Sequence, residues 1–258
     1  TGSLISTGPM LRAILQTYTL RLYALPKYWA LLMPEVLVKS QPEIERPRMT
    51  QVSIVIVAAG RGSRAGEGLP KQYRKLGGKM VLTRTIESFL TIDPAYRIQC
   101  VIHPDDEALF QEATVGFDLP SPVHGGATRQ ESVYKGLKAL SPDTDYVLVH
   151  DAARPFVTAD VISGVIDALD AKAEAVVPAV AITDTLKKAA DGIIQHTVDR
   201  TNLFAVQTPQ GFPYANLMAA HEAAVGKDLT DDSSVEEAAG GISTVMHGHA
   251  HNIKRALH

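Results

Sequence analysis

The sequence predicts an α/β fold: a mostly parallel, doubly wound sheet with a protruding β-arm. One observation is that β-branched apolar runs of strand length, such as 53–57, recur along the chain. A second is that helical patterns separate these runs, as parallel strands require. A third is that the alternation stops near residue 180, where two short alternating segments flank the turn Asp191-Gly192. Ligands of such sheets bind at the carboxyl ends of the strands, so the loops there should carry the site.

The elements follow in order. Strands are predicted at 53–58, 97–102, 122–124, 146–149 and 175–178. Helices are predicted between them at 81–90, 105–114, 129–140 and 159–170, the second capped by Asp105 and Asp106. The arm occupies about 180–204. Helices near 213–224 and 231–239 and a last strand at 243–247 complete the chain.

Length and composition restrict the class of protein. The 258 residues suffice for one α/β domain with an appendage, and the net charge of −3 does not favour a nucleic-acid surface. The single cysteine, Cys100, lies in a strand pattern, which predicts a buried, inert thiol and a reducing compartment. The expected location is the bacterial cytoplasm.

Residues 1–48 differ from the rest, so we assign the domain to 49–258 and treat 1–48 as an N-terminal extension. The extension has no apolar run near the ~20 residues of a membrane span, and it lacks the pattern of a secretory signal. It is poor in acidic residues and contains arginines. A plastid-type targeting segment, an added interaction helix and upstream sequence stay open as interpretations.

A glycine loop follows the first strand. The run Ala58-Ala59-Gly60-Arg61-Gly62-Ser63-Arg64, with Lys71 further on, places small residues and two separated cations where they can wrap a nucleoside triphosphate. It is not a Walker A loop, because no Gly-Lys-Ser/Thr follows. It is not a dinucleotide-binding loop, because Gly66, Gly68 and Pro70 oppose the helix that such a loop requires.

Two further strand ends carry polar residues. Gly125-Gly126, followed by Arg129 and Ser132, would admit a base or sugar against the backbone, although an ordinary loop and helix cap fits equally well. Asp151 ends a central strand and could hold Mg²⁺ beside phosphates, or form a structural ion pair with Arg154. His150 is more readily a hydrogen-bonded core histidine than a metal ligand.

Several residues beyond this point could converge on a second anion: Arg200, Thr208, Thr230 and Lys254. Taken singly, each is more often a solvated surface group. The sequence alone does not show their convergence.

Together, these motifs resemble the 2-C-methyl-D-erythritol 4-phosphate cytidylyltransferase family. The resemblance runs from about Val52 to Lys254 through the segments AAGRGSR, LPKQY, GGATRQESV, HDAARPF, DTLK, TVDR, QTPQGF, LTDDSS and NIK. It implies a Rossmann-like nucleotidyltransferase fold. The implied reaction is attack of the substrate 4-phosphate on the α-phosphorus of CTP, with release of pyrophosphate. A related architecture fuses this domain to 2-C-methyl-D-erythritol 2,4-cyclodiphosphate synthase.

The resemblance also implies a role for each matching residue. The catalytic cations would be Arg64, Lys71 and Lys254. The residues that bind the nucleotide would be Ala58, Ala59, Gly60, Gly62, Gly125, Gly126, Arg129, Ser132, Asp151, Ala152 and Arg154. The residues that bind the methylerythritol phosphate would be Thr185, Arg200, Thr208 and Thr230. Asp151 would stand near Mg²⁺, and the arm would be exchanged in a homodimer.

Three alternatives stay open at this point. The first is a cytidylyltransferase for another polyol phosphate, such as ribitol 5-phosphate. The second is an NAD-dependent oxidoreductase, which the loop after Gly62 disfavours. The third is a non-catalytic nucleotide-binding protein. Neither a nucleic acid nor a membrane is an expected partner.

Overall fold

The first strand lies at the centre of the fold. The computed structural model describes residues 50–61, 68–227 and 229–254. Strand β1 (Val52–Ala58) is buried on both faces, because Ile54 and Ile56 pack into one hydrophobic cluster and Val55 packs into another. This burial on both faces explains its unbroken β-branched sequence.

The predicted strands and helices alternate up to residue 181, and two short strands that the sequence did not predict precede the first helix. The strands that follow β1 are β2 (Lys75–Leu76), β3 (Lys79–Met80), β4 (Arg97–Ile102), β5 (Val123–His124), β6 (Tyr146–Asp151) and β7 (Ala175–Ala181). The helices between them are α1 (Val81–Leu90), α2 (Glu107–Ala113), α3 (Arg129–Lys138) and α4 (Ala159–Asp170). Short 3₁₀ helices span Lys71–Tyr73 and Pro104–Asp106.

The second half of the chain adds both strands and helices. They are β8 (Leu186–Ala190), β9 (Ile193–Val198), β10 (Phe204–Val206), β11 (Gln210–Pro213), α5 (Tyr214–Ala223), α6 (Asp232–Ala238) and β12 (Ser243–His247).

The main sheet is mixed but mostly parallel, which confirms the predicted fold class. β1 pairs in parallel with β4 on one side and β6 on the other, and β5 extends the sheet beyond β4. β11 joins β6 and β7 with antiparallel pairing. β7 also carries β10 antiparallel and β12 parallel. The carboxyl ends of β1, β4 and β6 therefore open at one edge of the sheet.

Sequence reasoning missed β10 and β11. β10 has three residues, and β11 contains Gly211 and Pro213, residue types that are depleted in strands. Gly211 is required by packing, because a Cβ at this position would lie 2.2 Å from Val165 Cγ1 on α4. Tertiary contacts determine this strand.

A hairpin forms within the predicted arm. β8 and β9 make a separate two-stranded antiparallel sheet around a turn at Asp191 and Gly192, which both have positive φ. Ile193 and Ile194 on this hairpin are largely exposed. Its role in dimerisation stays a prediction.

The predicted cap of α2 was wrong in detail. Asp106 occupies the N-cap position without a side-chain capping bond, and the backbone N–H of Asp105 donates to His103 Nδ1. Both carboxylates instead pair with Arg61. No helix among the described residues has the length and apolar character that crossing a membrane requires.

Candidate active site

A cleft of about 510 Å³ opens at the carboxyl ends of β1 and β6. Residues from widely separated parts of the sequence line it: Val57, Ala58, Ala59, Gly60, Arg61, Lys71, Gln72, His103, Gly126, Ala127, Thr128, Arg129, Ser132, Asp151, Ala152, Ala153 and Lys254. The fold thus brings ten predicted site residues together. The position agrees with the rule for parallel sheets.

One wall of the cleft is the end of β1 with the 3₁₀ helix that carries Lys71. The buried Gln72 side chain donates to Ala58 O at 2.6 Å and approaches Gly60 O at 3.5 Å. These contacts hold the 3₁₀ helix against the first residues of the glycine loop. Lys71 and the small residues that follow β1 line the same cleft.

The opposite wall is the start of α3. Thr128 is the N-cap of this helix, and its hydroxyl accepts from Glu131 N. Ser132 Oγ accepts from Gly126 N at 3.0 Å and donates to Thr128 O at 2.8 Å. A Cβ at Gly125 would lie 2.5 Å from Ala59 Cβ, so glycine alone lets the two walls approach.

Asp151 lies at the floor of the cleft among three cations. Its oxygens are 2.9 Å from Lys254 Nζ, 3.4 Å from Arg129 Nε and 3.7 Å from Arg154 Nε. Burial raises the pKa of Asp151, but Arg129 and Lys254 outweigh this effect and hold it well below its usual range. The carboxylate is ionised, and the cations around it exceed it in charge.

A second carboxylate holds Arg129 from behind. Arg129 Nη2 lies 2.8 Å from Oδ2 of the fully buried Asp232, which in turn lies 3.4 Å from His221. Burial opposes the charge on Arg129, but Asp232 and Asp151 together raise its pKa. The guanidinium is therefore fixed between α3, α6 and the end of β6.

His150 and Thr208 support the floor from inside the protein. Thr208 Oγ1 lies 3.1 Å from His150 Nδ1 and accepts from Asp151 N at 3.1 Å, while His150 Nε2 contacts Arg154 O at 3.0 Å. Burial lowers the pKa of His150 to about 4, so the ring is neutral. The preferred interpretation of His150, a hydrogen-bonded core histidine, agrees with these contacts.

The residues expected to bind the polyol phosphate do not converge in this chain. Thr208 is buried, and its hydroxyl is engaged by Asp151 and His150. Thr185, Arg200 and Thr230 are exposed and do not line the cleft.

Other predicted residues are placed as follows. Arg154 donates to Asn252 O at 2.8 Å and so fixes the segment that carries Lys254. Cys100 is buried, and burial raises the pKa of its thiol to about 12, as expected for an inert cysteine. Arg64 and Gly62 lie outside the described residues.

Sequence reasoning missed several residues at or behind the cleft, among them Arg61, Gln72, His103 and Asp232. Gln72 and Asp232 stand within the quoted segments LPKQY and LTDDSS, but nothing in the sequence marked them as supports for Ala58 and Arg129. Two signals for Arg61 were available in the sequence. It is a basic residue inside a glycine loop, and an acidic pair follows the neighbouring strand.

Comparisons with known proteins agree with this geometry. The family profile of IspD, 2-C-methyl-D-erythritol 4-phosphate cytidylyltransferase, matches residues 52–257. The bifunctional enzyme IspD/IspF of Paramagnetospirillum magneticum is 49% identical over 207 residues, which are 80% of this chain and 54% of that protein. Its counterpart from Rhizobium leguminosarum bv. trifolii is 49% identical over 212 residues, 78% of this chain and 52% of that protein. The chain therefore spans about half the length of these curated relatives.

Solved structures show the same similarity. The 4-diphosphocytidyl-2C-methyl-D-erythritol synthase of Anaerococcus prevotii superposes with a TM-score of 0.69 at 32% identity, covering 81% of this chain and 93% of that one. The bifunctional IspDF of Campylobacter jejuni gives a TM-score of 0.67 at 25% identity, covering 80% of this chain and 52% of that one. The chain belongs to the 2-C-methyl-D-erythritol 4-phosphate cytidylyltransferase family.

Proposed function

We propose that this protein transfers CMP from CTP to 2-C-methyl-D-erythritol 4-phosphate. The products are 4-diphosphocytidyl-2-C-methyl-D-erythritol and pyrophosphate, in non-mevalonate isoprenoid precursor biosynthesis. The observation that carries the proposal is the cleft in which Lys254 and Arg129 contact Asp151, with Lys71 and a glycine-lined wall in the same cleft. Membership in the family supports the identity of the substrates.

The chemistry requires stabilisation of charge more than proton transfer. An oxygen of the 4-phosphate attacks the α-phosphorus of CTP, the bond to the bridging oxygen breaks, and pyrophosphate leaves with that electron pair. Negative charge builds on the phosphorus oxygens and the leaving group. Lys71 and Lys254 lie at the cleft where they can bind this charge, with Arg64 expected beside them.

Recognition of the nucleotide is assigned to the two walls. Ala58, Ala59 and Gly60 carry no large side chain, so a nucleotide can approach their backbone. Gly125 and Gly126 leave room for the cytosine and ribose at the start of α3. Arg129, held by Asp151 and Asp232, would direct its guanidinium at the nucleotide. Holding both reactants in one orientation supplies much of the rate enhancement.

A single carboxylate, together with substrate phosphates and water, would hold a divalent cation in this site. Among the described residues no group of three or more His, Cys, Asp or Glu is arranged to hold a metal. Mg²⁺ is commonly held by one or two carboxylates together with substrate phosphates and water, and Asp151 is the carboxylate at the cleft. When bound, Mg²⁺ would neutralise the triphosphate and orient its oxygens. Lys254, now 2.9 Å from Asp151, would then be available for phosphate.

The positions of the residues expected to bind the second substrate favour a homodimer. Thr185 and Arg200 flank the exposed hairpin β8–β9, away from the residues that line the cleft, and Ile193 and Ile194 on it are exposed. An arm exchanged between two subunits would bury these isoleucines and carry Arg200 to the partner's cleft.

The named relatives are bacterial, which supports a location in the bacterial cytoplasm and gives no support to plastid targeting by residues 1–48.

A pyrophosphate-release assay tests the proposed function. The panel combines CTP, UTP and ATP with methylerythritol 4-phosphate and ribitol 5-phosphate. We expect release only with Mg²⁺, CTP and methylerythritol 4-phosphate, and its loss on chelation. Faster turnover with ribitol 5-phosphate would reverse the substrate assignment. Nucleotide binding without release would instead indicate a non-catalytic binding protein.

A further inference from the structure

Arg61 lies at the start of the glycine loop and forms three polar contacts with the end of β4. Its Nη2 is 2.7 Å from His103 Nδ1 and 2.9 Å from Asp105 Oδ2, and its Nη1 is 3.2 Å from Asp106 Oδ1. These partners follow β4 directly, whereas Arg61 follows β1. The contacts therefore connect the loops of two neighbouring parallel strands.

Asp106 favours this connection. Its side chain is 1% exposed, and Oδ2 has no hydrogen-bond partner among the described residues. Burial raises the pKa of Asp106, while Arg61 and then His103 oppose that rise. A buried carboxylate strongly favours a paired cation, so Arg61 is held toward β4. Half of the Arg61 side chain stays in solvent, at the rim of the cleft.

The adjacent backbone is held from the other side. Gln72 Nε2 lies 2.6 Å from Ala58 O and 3.5 Å from Gly60 O, so the side chain of one residue contacts the carbonyls on either side of Ala59. Gly60 is thus held by Gln72, and its neighbour Arg61 is held by Asp106. Ala58 to Arg61 all line the cleft.

We propose that Arg61 is a positioning residue: through Asp105, Asp106 and His103 it sets the backbone path of residues 58–61 and thereby the affinity for the CTP triphosphate. The inference rests on the proposed function, because it assigns CTP to this cleft. Arg61 acts through the backbone of the loop and the fork geometry of its guanidinium. Positive charge alone at this position does not suffice.

Four variants separate this role from simple attraction to phosphate: R61K, R61Q, D106N and the double variant R61Q/D106N. We expect R61Q to raise the Kd for CTP, measured by calorimetry, and its KM about tenfold or more, because small displacements of binding groups are costly. The KM for methylerythritol phosphate should not change. R61K should resemble R61Q, because lysine keeps the charge and loses the fork.

D106N tests the direction of the effect. Freeing Arg61 from Asp106 should weaken CTP binding if the arginine positions the loop. Unchanged or tighter binding of CTP by D106N, or wild-type behaviour of R61K, would overturn the proposal. The double variant should be no worse than R61Q, since both changes break one connection. It also avoids leaving Asp106 charged and unpaired, so it keeps the test valid if R61Q folds poorly.

The control is an ion pair at the other end of the same strand. Arg97 Nη1 lies 2.7 Å from Asp143 Oδ1, outside the cleft, so R97Q should keep the wild-type affinity for CTP. Loss of affinity in R97Q equal to that in R61Q would contradict the proposal. If the wild type does not use CTP at all, the proposed function fails; if it does and R61Q binds CTP normally, only the positioning role fails.

Discussion

At the scale of single residues, Lys71 combines exposure to the cleft with firm support. It opens the 3₁₀ helix whose next two residues, Gln72 and Tyr73, are buried. Lys71→Ala removes a cation without disturbing that support. We expect turnover to fall by about 10²–10³-fold or more, because one group that stabilises transition-state charge contributes on this order. Pyrophosphate release and the melting temperature together check the prediction.

The matched variant is Lys75→Ala, which removes an exposed lysine four residues away. It should keep both turnover and melting temperature. A wild-type rate of turnover for Lys71→Ala would contradict the proposed mechanism.

His150 predicts how stability depends on pH. Burial lowers its pKa to about 4, against 6.5 in the unfolded chain, so the unfolded state binds the extra proton between these values. Stability is thus fully present above about pH 6.5 and is lost as pH falls toward 4. At about pH 5 this one group should cost about 2 kcal/mol. Urea unfolding at about pH 7 and pH 5 measures the difference.

His150→Gln separates this contribution from those of other groups. The amide cannot titrate, so the loss of stability between the two pH values should shrink by about 2 kcal/mol relative to wild type. An equal loss in both proteins would refute the assignment to His150.

At the scale of elements, α3 packs against the sheet through Gly136. A Cβ here would lie 2.7 Å from Val101 Cγ2 and 2.8 Å from Val55 Cγ1, on the buried strands β4 and β1. Gly136→Ala should therefore destabilise the fold by about 1–3 kcal/mol through overpacking. This outweighs the ~1 kcal/mol that alanine gains in helix propensity. Chemical denaturation checks the sign.

Gly164 in α4 is the matched helical glycine. A Cβ there would meet only the end of Met246, a flexible side chain, so Gly164→Ala should be neutral or slightly stabilising. Destabilisation of both variants to the same extent would show that helix packing does not distinguish them.

At the scale of the whole molecule, the exposed hairpin predicts assembly. Ile193 and Ile194 are 72% and 62% exposed, which is costly unless another surface covers them. The double change Ile193→Asp and Ile194→Asp should convert a dimer to a monomer, as measured by light scattering. Val115→Asp, at an apolar residue that is 80% exposed outside the hairpin, should leave assembly unchanged.

Mixed dimers test whether Arg200 serves the partner. Lys71→Ala and Arg200→Ala should each be nearly inactive alone. If Arg200 acts across the interface, a mixed dimer contains one cleft with both Lys71 and Arg200, and activity returns on mixing. If Arg200 serves its own cleft, each cleft of the mixed dimer lacks one of the two residues and no activity returns.

Much of this molecule could be predicted from local sequence. β-branched runs buried on both faces, helical periods between them and the turn at Asp191-Gly192 determine most elements and their order, because these signals are short-range. The glycine loop with Lys71 likewise indicates a triphosphate site on its own.

Only the tertiary structure decided which charges meet. Arg129 and Lys254 come from distant positions and join Arg154, a near neighbour in the sequence, around Asp151, because parallel strands open at one edge of the sheet. Thr208, for which the family resemblance implied a substrate contact, bonds to Asp151 N and His150 in the buried floor. The sequence thus determined most of the elements and the class of chemistry. The partner of each polar side chain depended on register and burial, which no local pattern encodes.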